Sequence, residues 1–109
     1  MEYLELSTTI QGNSIEGIVK VKYNGRYDGI QVNAHVYDAK GIVRFIEVNG
    51  KNTSLYRLFI PKEEIVNSNN EVAFRAVVEG KAERVRLRAS MIQEHKEIAY
   101  HESRVDLLQ

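Results

Sequence analysis

Hydrophobic and polar residues alternate with a period of two along most of this chain. Such alternation is typical of β-strands that have one buried face and one solvated face. Glycine and asparagine interrupt it at intervals close to the spacing of about 8 to 12 residues that is expected of a β-sandwich or a β-barrel. The pattern predicts eight strand segments, at residues 3–10, 15–23, 30–38, 42–48, 54–60, 71–79, 83–92 and 97–107.

Three dipeptides have the composition of tight turns. Asn24-Gly25 suits a type I′ turn, which needs a positive φ at both central positions, although this loop must continue to Gly29. Asn49-Gly50 predicts a second turn, after the fourth segment. Gly80-Lys81 separates the sixth and seventh segments, and we predict that these two segments form an antiparallel hairpin.

Three positions depart from simple alternation. Gly17 interrupts the inner face of the second segment, which predicts a bulge or the close approach of another backbone. In residues 42–48 apolar residues occupy both faces, as in a strand that is covered on both sides or that changes sheets. Pro61 cannot donate to a ladder, so the fifth segment should end there, and Lys62-Glu63-Glu64 should form one helical turn.

The fold class follows from these elements. No segment of ten or more residues has the apolar spacing of an amphipathic helix, so a βαβ crossover with its parallel sheet is not expected. Antiparallel strands packed face to face are the remaining solution, and a chain of 109 residues suffices for one core. We predict an all-β fold in which residues 1–109 form a single domain, an antiparallel two-sheet sandwich of seven or eight strands.

Composition and charge restrict the function further. Fifteen basic and fifteen acidic residues cancel, so the whole molecule lacks a net positive field that would draw it to nucleic acid or to an anionic membrane. The absence of cysteine excludes disulfides, thiolate metal sites and cysteine nucleophiles. There is no run of about 18 apolar residues, so we expect no membrane span. The amino terminus lacks a signal-peptide pattern, and we predict a soluble, cytoplasmic protein.

The sequence shows no catalytic constellation. A metal site needs three or four converging ligands, whereas His35 lies in the middle of a predicted strand, and His95 and His101 flank a predicted turn. Serine and threonine lie mostly in turns, where local hydrogen bonding explains them. Neither a phosphate-binding glycine-rich loop nor a nucleophile elbow is present. We therefore predict no enzymatic activity, no metal and no cofactor.

The most suggestive chemical feature is a row of arginines. Arg84, Arg86 and Arg88 alternate with apolar residues, with Lys81 nearby, so successive guanidinium groups are about 7 Å apart on one strand face. Such a row can bind the phosphates or carboxylates of a partner. Alternatively, acidic residues on a neighbouring strand pair with the row across the sheet. The candidates for that pairing are Glu71, Glu79, Glu97 and Glu102.

Part of the chain resembles the arrestin-like fold. Gly12, the stretch Ile15-Glu16-Gly17-Ile18-Val19 and the later Gly29-Ile30-Gln31-Val32 are similar to the family's glycine-led turn, alternating strand and Ile-x-Val strand. Leu58-Phe59-Ile60-Pro61 resembles the family's strand that ends in proline. The predicted sandwich is thus immunoglobulin-like or arrestin-like. The resemblance implies a non-catalytic adaptor or scaffold that recognises other proteins.

Two functional hypotheses remain. The leading one is a non-enzymatic interaction module that binds a protein partner, which could be a second copy of the chain, through an exposed sheet edge or the arginine row. A loop tyrosine such as Tyr27 suits a protein contact surface. The alternative is a nucleic-acid or anionic-ligand binder that uses Lys81, Arg84, Arg86 and Arg88.

Overall fold

The computed structural model describes residues 2–37 and 40–107 and shows two antiparallel β-sheets in this part of the chain. The elements in chain order are β1 (Leu4–Gln11), β2 (Ser14–Val21), β3 (Gly29–Val36), β4 (Ile42–Val48), β5 (Lys51–Leu55), β6 (Leu58–Pro61), α1 (Lys62–Asn67), β7 (Glu71–Glu79), β8 (Arg84–Gln93) and β9 (Lys96–Asp106). One sheet has the order β1-β2-β7-β4-β5, and the other has the order β6-β3-β8-β9.

This architecture confirms the predicted all-β, antiparallel two-sheet sandwich. The described residues contain nine strands because the predicted segment 54–60 is divided between β5 and β6, which belong to different sheets. Asp38, which the alternation assigns to the third segment, lies outside the described residues, as do both ends of the predicted domain 1–109.

The core lies between the two sheets. Alternate side chains of the strands point into it, because a period of two places every second residue on the same face. The short helix α1 also contributes, since Ile65 is 1% exposed and α1 contacts β3, β6 and β7. The largest fully buried side chains include Phe45, Leu4, Ile15, Ile30, Ile60, Leu87 and Met91. The helical turn that we expect after Pro61 is confirmed, with Pro61 as its N-cap.

The predicted hairpin across Gly80-Lys81 is wrong. β7 lies between β2 and β4, whereas β8 lies between β3 and β9 in the other sheet. The connection therefore crosses from one sheet to the other. Gly80 allows this crossing because it has a φ of 87°, and a Cβ there would lie 2.9 Å from the carbonyl oxygen of Lys40. Alternation shows which side chains are buried, but not which sheet a strand joins.

The predicted turns have mixed outcomes. Neither Asn24 nor Gly25 has a positive φ, so the type I′ turn predicted there is wrong, and the loop instead carries the chain from β2 to β3 in the other sheet. Asn49-Gly50 forms the expected turn between β4 and β5, with φ values of 49° and 81°. The turn between β8 and β9 uses Glu94 and His95, with φ values of 50° and 67°, and contains no glycine.

The two irregular strand patterns have local causes. β4 remains in the five-stranded sheet, and its pairing register shifts between Phe45 and Glu47. The extra residue, Ile46, changes the phase of the alternation, which explains why apolar residues occur on both faces. Gly17 pairs regularly with Phe74, and a Cβ at Gly17 would lie 2.2 Å from the ring of Phe74. Gly17 therefore accommodates an aromatic side chain, not another backbone.

Tyr27 belongs to the core, so its predicted place on a contact surface is wrong. Its side chain is 3% exposed, its ring lies 6.3 Å from that of Tyr23, and the ammonium group of Lys62 lies 4.9 Å from its ring centroid. Among the described residues, the buried hydroxyl of Tyr27 has no hydrogen-bond partner. Burial raises the pKa of Tyr27 above its ordinary value of 10.0, because the interior disfavours the phenolate.

Tyr27→Phe should stabilise the protein by about 1 kcal/mol, because it removes an unsatisfied buried hydroxyl and keeps the ring. Since the pKa of Tyr27 is raised in the folded state, the unfolded chain loses this proton first, so the stability of the unsubstituted protein is unaffected below pH 10 and declines as the pH rises through the raised value. The stabilisation by Tyr27→Phe should therefore grow at alkaline pH. Urea unfolding at neutral pH and above pH 10 measures both effects. A lower midpoint for the variant at neutral pH would contradict the prediction.

Candidate functional site

The sandwich is closed on the side where β1 and β9 meet. The backbone N–H of Leu6 donates to Nδ1 of His101 at 2.8 Å, and the hydroxyl groups of Thr8 and Ser103 lie 2.6 Å apart. These contacts join the edge of the five-stranded sheet to the edge of the four-stranded sheet. His101 therefore has a structural role, because it helps to hold these two edges together.

The opposite side of the sandwich is open. β5 is the last strand of one sheet, β6 is the last strand of the other, and no ladder joins them in the described part of the chain. β5 pairs only with β4, so the backbone groups that point away from β4 have no strand partner. An edge of this kind is a template for pairing with an added strand.

Large apolar side chains are exposed beside this edge. Leu55 at the end of β5 is 45% exposed, Tyr56 in the connection is 61% exposed, and Phe59 in β6 is 51% exposed. We use the name open corner for the β5 edge together with Leu55, Tyr56, Arg57 and Phe59. Exposed apolar side chains that cluster at a free sheet edge are typical of binding surfaces.

Gly29 fixes the position of β6 at the open corner. A Cβ on Gly29 would lie 2.5 Å from the backbone oxygen of Ile60 and 2.5 Å from the ring of Phe59. Only glycine lets β3 and β6 come this close while the ring of Phe59 rests on the strand. The aromatic ring of Phe59 is thereby held against β3 on the outer face of the four-stranded sheet, with half of its surface in solvent.

The open corner carries positive charge. Residues 51–61 contain Lys51 and Arg57 and no acidic residue. Lys51 shares a groove of about 360 Å³ with Glu63 and Glu64 of the helix, which lie at one end of the corner. Arg57 is exposed and forms no ion pair with any described residue. Lys51 forms no ion pair with the described residues either, so the open corner carries two basic side chains without a partner in that part of the chain.

The predicted arginine row lies on the outer face of the four-stranded sheet. In the pairing of β8 with β9, Arg84, Arg86 and Arg88 are opposite Asp106, Arg104 and Glu102, respectively. The structure thus brings the three predicted arginines to one face. Lys81 lies outside the strands that form this face, in the connection that crosses between the sheets.

Acidic residues of β9 form ion pairs with all three arginines of this row, as in the alternative that the sequence leaves open. Arg88 hydrogen-bonds to both Glu97 and Glu102, which together raise its pKa above the usual range of arginine, Glu97 having the larger effect. The guanidinium group of Arg88 also lies 3.8 Å from the ring centroid of Tyr100. The Nε atom of Arg84 lies 3.6 Å from Asp106. Arg88 is therefore occupied within the protein.

Glu71 and Glu79, the other two acidic candidates for pairing with the arginines, lie away from this face. Arg104 and Asp106 belong to it instead. Glu71 and Glu79 are on β7, in the five-stranded sheet, where Glu79 pairs with Arg44. Sequence reasoning missed Arg104 and Asp106, which the pairing with β9 places on the arginine face. The last segment alternates weakly, so the sequence indicates neither its outer face nor its register.

Two general features of the described residues bear on function. No three histidine, aspartate or glutamate side chains in residues 2–37 and 40–107 are grouped so that they could hold a metal ion. The described part of the chain contains one helix, α1, which is six residues long. No helix in that part is long and apolar enough to cross a membrane.

No protein-family model and no curated protein matches this chain. Its structure is similar to that of a conjugative transposon lipoprotein from Bacteroides eggerthii, with a TM-score of 0.51, 10% sequence identity and 98% of each chain covered. It is also similar to the reeler domain of human F-spondin, with a TM-score of 0.50, 10% identity, and 95% of this chain and 88% of that chain covered. At such low identity the similarity shows the fold alone. It supports a β-sandwich and does not confirm the predicted arrestin-like or immunoglobulin-like family.

Proposed function

We propose that this protein is a non-catalytic interaction module that binds an extended segment of another protein at the open corner. The observation that supports this function is the unpaired edge of β5 beside three exposed apolar side chains, Leu55, Tyr56 and Phe59. An added strand would hydrogen-bond to the free backbone groups of β5, and its side chains would cover the apolar ones. This is the common mode of strand addition, in which the backbone provides affinity and alternate side chains provide specificity.

The charge at the open corner indicates which chemical groups the partner segment should carry. Arg57 has no ion pair among the described residues, so a carboxylate on the partner segment would find a free guanidinium group. A second copy of the same edge would not supply that carboxylate, because residues 51–61 contain no acidic residue. We therefore propose a different protein as the partner. This proposal does not adopt the sequence-based hypothesis of self-association, and the cytoplasmic location stays a sequence-based prediction.

The alternative of nucleic-acid binding receives no support from the arginine face. Binding along a nucleic-acid backbone needs several free cations, whereas Arg88 is held by Glu97 and Glu102. Asp106 lies beside Arg84. We therefore do not propose this function for the face as a whole.

Selection from a displayed library of random peptides, with the whole protein as the immobilised target, tests the proposed partner. We expect the selected peptides to alternate apolar and polar residues, as an extended strand does, and to carry at least one aspartate or glutamate. Their affinity should fall with increasing salt, and Arg57→Gln should reduce that salt dependence. Peptides without acidic residues or without alternation would contradict the proposal.

Sedimentation velocity over a concentration series distinguishes the proposed partner from a second copy. We expect a monomer across the series, because the edge of one copy lacks the acidic groups that the edge of another would need. Dimerisation that Phe59→Ser abolishes would show that the open corner binds a second copy of this chain, and it would contradict the choice of a different protein.

A further inference from the structure

A separate surface, on the outer face of the four-stranded sheet, has an excess of positive charge. The register of β3, β8 and β9 places Arg86 opposite His35 on one side and opposite Arg104 on the other. Neighbouring strands are about 4.8 Å apart, so these three basic side chains form one row across the sheet. The row contains no carboxylate. Like charges that lie directly opposite each other destabilise a sheet unless something compensates for them.

The nearby carboxylates compensate for this row only in part. Oε2 of Glu102 lies 3.5 Å from Nε of Arg86, but it hydrogen-bonds to Arg88 at 3.1 Å. Nε of Arg86 is buried and has no hydrogen-bond partner in the described residues. Arg104 is exposed and forms no ion pair with them. Within the described part of the chain, the unsatisfied Nε of Arg86 and the unpaired guanidinium group of Arg104 thus lie opposite each other on the two strands.

A cavity of about 590 Å³ opens beside this row and is lined by Tyr37, Arg84, Arg104 and Asp106. The guanidinium group of Arg86 lies 5.9 Å from the ring centroid of Tyr37. The salt bridge between Arg84 and Asp106 is exposed, with about two-thirds or more of each side chain in solvent. Water therefore weakens this pair, and Arg84 can exchange its partner for a ligand.

We propose that this cavity, which we name the arginine pocket, binds a single tetrahedral oxyanion, a phosphate or sulfate group. Arg84 and Arg104 would donate to the oxyanion from the two strands, with the hydroxyl of Tyr37 as a third donor. Guanidinium groups match such oxygens in a bidentate manner. A tetrahedral group presents oxygens in three directions and can bridge two arginines, whereas a carboxylate presents two oxygens in one plane. This proposal concerns a different surface from the open corner and does not depend on it.

Titration of the whole protein with inorganic phosphate and inorganic sulfate, followed by amide chemical shifts at constant ionic strength, tests the pocket. Parallel titrations with chloride and with acetate show the effect of anions that are not tetrahedral oxyanions. We expect saturable shifts near Tyr37, Arg84 and Arg104 with phosphate and sulfate, and much weaker ones with acetate. Arg104→Gln should reduce the affinity for phosphate about tenfold or more, because one charge-assisted contact is lost. The matched control is Arg26→Gln, which removes the same charge from the exposed loop between β2 and β3 and should not change the affinity.

A second variant should act in the opposite direction. Asp106→Asn removes the carboxylate that pairs with Arg84 and lines the pocket, and it should raise the affinity for phosphate several-fold because Arg84 loses its competing partner. A variant that only damaged the fold would not bind more tightly. Shifts that grow linearly without saturation, equal affinity in Arg104→Gln, or acetate binding as tight as that of phosphate would each overturn the proposal.

Discussion

Phe45→Ala should lower the free energy of unfolding by about 3–5 kcal/mol. Phe45 is fully buried, and its ring packs edge-to-face against that of Phe74, with the centroids 5.6 Å apart. Truncation removes this contact and leaves a cavity in the core between the two sheets. A chain of this length has a total stability of about 5–15 kcal/mol, so the variant should be close to unfolding.

Urea denaturation measures this loss, and the midpoint should fall while the slope m stays the same. Val66→Ala is the matched control, since Val66 is 52% exposed on the helix and its truncation should change the stability by less than about 0.5 kcal/mol. A small effect of Phe45→Ala, equal to that of the control, would contradict the position of Phe45 in the core.

Phe59→Ser should weaken binding of a selected peptide by about 30-fold, which is the loss expected when an aromatic anchor is removed from an interface. Phe59 is half exposed in the free protein, so the stability should change little. Fluorescence anisotropy with the labelled peptide measures the affinity, and urea denaturation confirms that the variant is folded.

Ile98→Ser is the matched control for this change. Ile98 is 38% exposed and lies on β9, at the closed side of the sandwich. Its replacement removes a comparable apolar side chain and should leave the affinity for the peptide unaltered. Equal losses in Phe59→Ser and Ile98→Ser would place the peptide somewhere other than at the open corner.

Much of the fold can be predicted from alternation alone. The side chains of Val72, Phe74, Ala76 and Val78 are buried as the period of two predicts, because a strand that packs on a core must present one apolar face. Pairing could not be predicted in the same way. β7 and β8 follow each other in sequence across a short glycine-containing link, yet they belong to different sheets. The residues inside a strand do not encode which neighbour it will have.

The sites could be predicted less well than the fold. Alternation correctly places Arg84, Arg86 and Arg88 on one face, but their partners depend on the register with β9, which is a tertiary property. The open corner was missed because Tyr56 continues the alternation of Leu58 and Ile60. The sequence therefore indicates one strand where the chain actually leaves one sheet and enters the other.

Hydrogen exchange of the β5 amides, with and without a selected acidic peptide, is the most direct test of the proposed interaction. In the free protein the amides of Lys51–Leu55 that point away from β4 should exchange rapidly, because they have no strand partner. In the complex, alternate amides of β5 should become protected, while those of β9 stay unchanged. Protection confined to β8 and β9, with no change along β5, would contradict strand addition at the open corner.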